Sequence, residues 1–141
     1  MSVFLDTDVL VDCLRGTEAA EEWLEANPRE SFQIPGIVAM ELIIGCQNKA
    51  ALKRTQKFLQ SFEIAWPEAP EFERAYEILS EKFLTSSISI PDCIIAAMAL
   101  ERSIQLYSFN LRDFGQIEDL VVKSPYERPA KTHLTDPGQT P

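Results

Sequence analysis

Short apolar runs of three or four residues recur along this chain, and the segments between most of them have helical character. This alternation limits the possible folds more than any other feature. Val3-Phe4-Leu5 comes first and stops at Asp6; Phe32-Gln33-Ile34, Phe62-Glu63-Ile64, Ile104–Tyr107 and Leu120–Val122 follow. Such runs read as strands buried on both faces. Between them, Thr7 to Leu14 begins a helix that stops near Gly16. Thr17 can cap a second helix through Ala26, with Ala20, Trp23 and Leu24 on one face, and Pro28 ends it. Pro35-Gly36 breaks the chain before an apolar helix from Ile37 to Cys46. Lys49 to Gln60 places Leu52 and Leu59 one heptad apart, with Phe58 beside them. Pro67 and Pro70 bound a loop. Phe72, Tyr76, Leu79 and Phe83 then give helical spacing over Glu71 to Leu84, and Pro91 to Arg102 is a second strongly apolar helix.

Strands joined by helices predict a mostly parallel sheet of four to five strands covered on both faces, a three-layer α/β/α domain. Ligands of such sheets bind outside the carboxyl ends of the strands. Asp6 follows the first strand, and Asn110 and Asp113 follow the fourth. One domain over residues 1–123 is expected. From residue 124 the composition changes, since Pro125, Pro129, Pro137 and Pro141 are four of the nine prolines, and residues 124–141 read as an extended or disordered tail.

Composition removes several functions. No stretch approaches the ~20 apolar residues of a membrane span. Met1 to Asp6 lacks the positive start of a secretory signal, so a cytoplasmic protein is expected. Three cysteines with no close pair, Cys13, Cys46 and Cys93, argue against a disulfide framework or a zinc site and read as packed thiols. The only histidine, His133, lies in the tail, which disfavours histidine catalysis. A net charge of −9 counts against a broad basic surface for nucleic acid, but not against an enzyme that meets phosphates through bound cations.

Four carboxylates carry the chemistry. Glu41 sits within Ile37-Val-Ala-Met-Glu-Leu-Ile-Ile44, where apolar neighbours leave little circumference for water and an unpaired charge is costly. Asp92 opens the helix after Pro91, where an acid also offsets the helix dipole. Asp6 and Asp113 can each cap a helix or turn. Taken singly, each has an ordinary structural explanation. Together they border one sheet edge, and carboxylates gathered at ~4 Å repel by a few kcal/mol per pair at an effective dielectric of ~20. No lysine or arginine cluster converges on them. A divalent cation is the simplest compensation, and all-oxygen ligands suit Mg²⁺ or Mn²⁺.

Phe4-Leu-Asp6-Thr-Asp-Val-Leu-Val-Asp12, Met40-Glu41-Leu-Ile-Ile-Gly45, Ile90-Pro-Asp92-Cys-Ile-Ile-Ala-Ala97 and Ser108-Phe-Asn110-Leu-Arg-Asp113-Phe114 occur in the order and spacing of a known family. Over roughly Val3 to Val122 the chain resembles PIN-domain ribonucleases, and more narrowly the VapC-like toxins of type II toxin–antitoxin pairs. The resemblance implies a PIN-like fold and metal-dependent endoribonuclease activity leaving a 5′-phosphate and a 3′-hydroxyl. Asp6, Glu41, Asp92 and Asp113 take the acidic positions, with Asp6, Asp92 and Asp113 as metal ligands, and Ser108 and Asn110 lie beside them. Asp8 departs from the asparagine common in the family and adds charge near the site. Asp12 and Glu101 read as solvated or structural. The resemblance also implies a homodimer and a small antitoxin whose peptide fills a groove near the site; Leu52, Phe58, Leu59 or Trp23 could supply such surfaces, although residues of this kind are more often core. Two other readings differ in class. Leu5-Asp6-Thr7-Asp8-Val9 fits the Asp-x-Asp of haloacid-dehalogenase-like phosphatases, with Asp6 as nucleophile, but the later lysine and Gly-Asp-x-x-x-Asp motifs are missing. Alternatively, the fold is a catalytically inactive binding or regulatory module.

Overall fold

A computed structural model describes residues 2–128. Five strands, β1 (Val3–Leu5), β2 (Phe32–Pro35), β3 (Glu63–Ala65), β4 (Gln105–Tyr107) and β5 (Val122–Lys123), form one sheet in the order β3-β2-β1-β4-β5. Every pair is parallel; Val3 stands opposite both Phe32 and Gln105, and Leu106 opposite Val122. All strand carboxyl ends therefore share one edge, with β1 at the centre. The helices are α1 (Thr7–Arg15), α2 (Glu18–Glu25), α3 (Gly36–Ile44), α4 (Lys49–Leu59), α5 (Ala69–Lys82), α6 (Ile90–Arg102) and α7 (Leu111–Phe114), a three-layer α/β/α fold as the alternation predicts.

Local chemistry explains the boundaries. Asp6 caps α1 by accepting the Thr7 N–H, and Gly16 ends it at φ 72°, where its N–H reaches the carbonyls of Asp12 and Cys13. Thr17 occupies the N-cap position of α2, yet its hydroxyl donates to the Asp12 carbonyl and does not cap. Pro70 lies in the first turn of α5, not in a loop, because the N–H it lacks there has no helical partner to lose. Asn110 caps α7 through the Asp113 N–H, turning the expected short turn into a helix.

The core runs through Phe4, Leu5, Leu10, Phe32, Ile34, Val38, Ile95, Met98, Leu106 and Phe114. Fully burying a large apolar side chain contributes about 1.5–3 kcal/mol. Every residue of α6 from Cys93 to Ala99 is buried, as a helix apolar on all sides requires. The other apolar helix, α3, differs from expectation: Met40 and Ile44 are 52% and 82% exposed, so one flank is open. Leu59 is buried, Phe58 packs on Phe62, and Trp23 packs on Phe32 and Tyr107, so these side chains belong with the core. Leu52 is half-buried. Gly36 starts α3 beneath the Trp66 ring, which a Cβ would strike. Glu71, buried on α5, accepts two bonds from Arg102, from Nε at 2.6 Å and Nη2 at 2.8 Å. The guanidinium beside it holds its carboxyl below the usual range.

Of the expected tail, Tyr126 and Arg128 pack against α1, where both bond to Asp12. Residues 129–141, including His133, lie outside the described residues. Cys13 and Cys46 are half-buried and Cys93 is buried, all as free thiols. Burial pushes the Cys13 and Cys93 thiols up to about 11, which keeps them protonated and unreactive. Among the described residues no helix is long and apolar enough to cross a membrane.

Candidate active site

Asp6 is the hub of the site. It leaves the central strand at its carboxyl end, and its own N–H donates to the Tyr107 carbonyl of β4 at 2.9 Å. Its buried carboxylate takes the Thr7 N–H on Oδ1 at 2.8 Å and the Ser108 hydroxyl on Oδ2 at 2.7 Å. Ser108 is wholly enclosed just past β4, and its Oγ also accepts the Asn110 N–H at 2.9 Å. Burial, then the neighbouring Asp8, push the Asp6 carboxyl up to about 7; Asp92 adds to the rise.

The other acids reach Asp6 by short links. Thr7 donates its hydroxyl to Glu41 Oε1 on α3 at 2.7 Å, so adjacent residues hold two of the acids. Asp8 accepts the Phe109 N–H on Oδ2 at 3.0 Å, and its Oδ1 is buried with no hydrogen-bond partner. Burial raises its carboxyl as well. Asp92 forms a capping box with Ser89, receiving the Ser89 N–H on Oδ2 at 3.4 Å while its own N–H donates to Ser89 Oγ at 3.2 Å. The capping explanation of this residue is therefore correct as far as it goes. Burial raises the Asp92 carboxyl and the charge of Asp113 raises it further, so Asp92 lies electrostatically between Asp6 and Asp113. Asp113, buried on α7, takes the Ser87 hydroxyl at 2.9 Å and the Asn110 amide at 3.3 Å.

All four acids singled out in the sequence, with Asp8, Ser108 and Asn110, thus border one edge of the sheet. Among the described residues no three of these side chains already close on a common point as an ion cage. The donor set nevertheless fits a hard divalent cation: every donor is oxygen, several carboxyls are desolvated at mutual cost, and Asp8 directs an unpartnered buried oxygen. Sequence reasoning overlooked Thr7 and Ser87. Thr7 carries a local signal, a hydroxyl in the first turn of the helix that Asp6 caps. Ser87 carries none, because it meets Asp113 across 26 residues of chain. Asp12 and Glu101 are structural, the first bonded to Tyr126 and Arg128 and the second paired with Arg74. Each Asp6 oxygen takes one donor and keeps a further lone pair that a cation could use.

Comparison with known proteins agrees with this fold. A PIN domain is matched over residues 3–120, and the chain belongs to the PIN-domain family. It is 28% identical over 129 residues to ribonuclease VapC10 of Mycobacterium tuberculosis, covering 90% of this chain and 95% of that protein. A chain of a toxin–antitoxin complex from Klebsiella pneumoniae superposes with a TM-score of 0.74 at 31% identity, over 90% of this chain and 100% of that one. A chain of the DNA-bound VapBC complex of Salmonella typhimurium shares the fold at a TM-score of 0.75 and 24% identity, over 89% of this chain and 100% of that one.

Proposed function

We propose that this protein is a divalent-metal-dependent endoribonuclease that hydrolyses RNA phosphodiester bonds and acts as the toxin of a toxin–antitoxin pair. The observation that carries the reading is the connected set Glu41–Thr7–Asp6–Ser108 at the centre of the sheet edge, with Asp92 and Asp113 completing its charge. The family match and the similarity to a ribonuclease support the substrate class. Similarity to a chain of a toxin–antitoxin complex supports a small protein partner. The homodimer rests on the sequence resemblance.

Asp6, Asp92 and Asp113 would hold Mg²⁺ or Mn²⁺. When bound, the cation offsets charge on the phosphate oxygens and acidifies a water molecule. The protein's share is positioning. Ser108 fixes the Asp6 carboxylate from one side and the Thr7 N–H from the other. Ser87 and Asn110 do the same for Asp113. Glu41 is held through Oε1 by Thr7, and among the described residues Oε2 has no protein partner; it can take a proton from the attacking water.

The test uses protein freed of any bound partner, incubated with RNA and Mg²⁺ or Mn²⁺, with EDTA controls and sequencing of the ends. Cleavage leaving 5′-phosphates, abolished by EDTA and by Asp92→Asn, is expected. Cleavage by Asp92→Asn at the wild-type rate would overturn the reading. An inert wild-type protein would leave only a binding role for the fold.

A further inference from the structure

A chain of net charge −9 must still hold a polyanion, and the charge is unevenly distributed. Between Glu41 and Glu63 there is no acid, while Lys49, Lys53, Arg54 and Lys57 all fall on α4. A groove of about 500 Å³ opens beside this helix, and Arg15, Asn48 and Arg54 line it together with Thr7 and Glu41. One end of the groove is thus the carboxylate edge itself. Three features make the remainder attractive to an anion. Arg15 and Arg54 are both exposed, and among the described residues neither has an acidic partner within salt-bridge distance. The N-terminus of α4, capped by neutral Asn48, faces the groove. Its first turn carries Lys49 and no acid, so nothing offsets the positive end of the helix dipole.

We infer that the groove between α1, α3 and α4 holds the single-stranded RNA backbone on one side of the cleaved bond, with Arg15 and Arg54 each neutralising a phosphate. The inference rests on the ribonuclease reading for its ligand. The spacing suits a strand in preference to a compact anion, because the two guanidiniums sit on separate helices and the groove leads to Glu41. Phosphate contacts of this kind fix register and carry no sequence information.

The full-length protein is titrated against a short fluorescein-labelled single-stranded RNA, read by anisotropy in EDTA at several salt concentrations. Wild type is compared with Arg15→Ala, Arg54→Ala, the double variant and Lys82→Ala, a cation on α5 outside the groove. Thermal melts confirm that each variant is folded. Each arginine variant is expected to weaken binding about three- to tenfold and to flatten the log–log salt dependence by about 0.7, the value per neutralised phosphate on a single strand. In cleavage assays KM should rise by a similar factor while kcat holds. Lys82→Ala should change neither. Unchanged affinity and salt slope in the double variant would overturn the inference. So would loss of binding to an acidic peptide such as polyglutamate while RNA binding persists, since the groove would then be a protein-docking site. The two readings fail separately: RNA binding lost in the arginine variants of a protein that never cleaves keeps the groove and removes the nuclease, and cleavage indifferent to both arginines does the reverse. A wild type that neither binds nor cleaves RNA removes both.

Discussion

Arg128 forks onto Asp12 from 116 residues further along the chain, Nε at 3.0 Å from Oδ2 and Nη2 at 3.1 Å from Oδ1. The same guanidinium lies 3.9 Å over the Phe109 ring, and the Tyr126 hydroxyl donates to Asp12 Oδ2 at 2.7 Å. Burial and this acceptor push the Tyr126 phenol up, so it remains a donor. Phe109 is the residue whose N–H holds Asp8, so the start of the proline-rich segment clamps the loop after β4 onto α1.

Arg128→Ala should therefore lower stability by about 1–2 kcal/mol, a value reduced for the partly exposed guanidinium and raised by the nearly buried carboxylate it abandons. Arg128→Lys should fall between, because an ammonium cannot fork. Urea midpoints measured side by side decide this. Equal midpoints for all three proteins would show that the clamp contributes nothing.

Glu71 and Arg102 give a larger effect. Arg102→Ala leaves a buried carboxylate without its fork and strands the Trp66 carbonyl that Arg102 also bonds at 2.8 Å. A loss of about 2–4 kcal/mol is expected, with activity per folded molecule unchanged. Denaturation curves and active-site-normalised rates check both halves.

Without divalent ions, stability should fall as pH rises through neutrality. The folded chain keeps a proton on Asp6 up to about 7, whereas the unfolded carboxyl loses it near its ordinary 3.8. In that window the native state binds more protons, so lowering pH from about 8 to about 5.5 raises the melting temperature. The raised carboxyls of Asp8 and Asp92 act in the same direction. Asp6→Asn should flatten the slope. A melting temperature that climbs with pH in EDTA would contradict the burial argument.

Mg²⁺ or Mn²⁺ should reverse that penalty. A cation that binds only the assembled carboxylates stabilises by RT ln(1 + [L]/Kd), about 2.7 kcal/mol at a hundredfold excess over Kd. Differential scanning fluorimetry should show an upward shift for wild type and none for Asp92→Asn.

Asp8→Asn separates charge from shape at this edge. Removing one like charge beside Asp6 should raise stability in EDTA by about 1 kcal/mol and reduce the shift on adding metal. If the metal-dependent shift stays the same, the unpartnered Asp8 oxygen has no part in holding the ion.

The sheet is legible from the chain because each strand is a short apolar run ended by a turn residue or an acid, and parallel pairing follows from the helices between. Boundaries slip where a side chain has two uses. Pro70 reads as a loop breaker and serves inside a first turn, and Thr17 reads as a cap and donates elsewhere. The acids stand out because Glu41 and Asp92 interrupt apolar helices. Their positioning hydroxyls do not, since serine and threonine are unremarkable in any loop; Ser87 matters only because α5 and α6 return it to Asp113. Exposure on α3 is equally hidden. Composition makes that helix look buried all round, and only the packing reveals that Met40 and Ile44 face outward. Nothing local announces Tyr126 and Arg128, whose partner lies on the first helix.

The strand order has a consequence for synthesis. The central strand is made first, yet one of its neighbours, β4, comes more than a hundred residues later, and Asp113 later still. A nascent chain emerging from the ribosome therefore carries Asp6 and Glu41 long before Ser108 and Asp113 can join them. Fragments that stop before residue 108 lack Ser108 and Asp113, so on this topology the carboxylate edge is assembled only after β4 and α7 have been made.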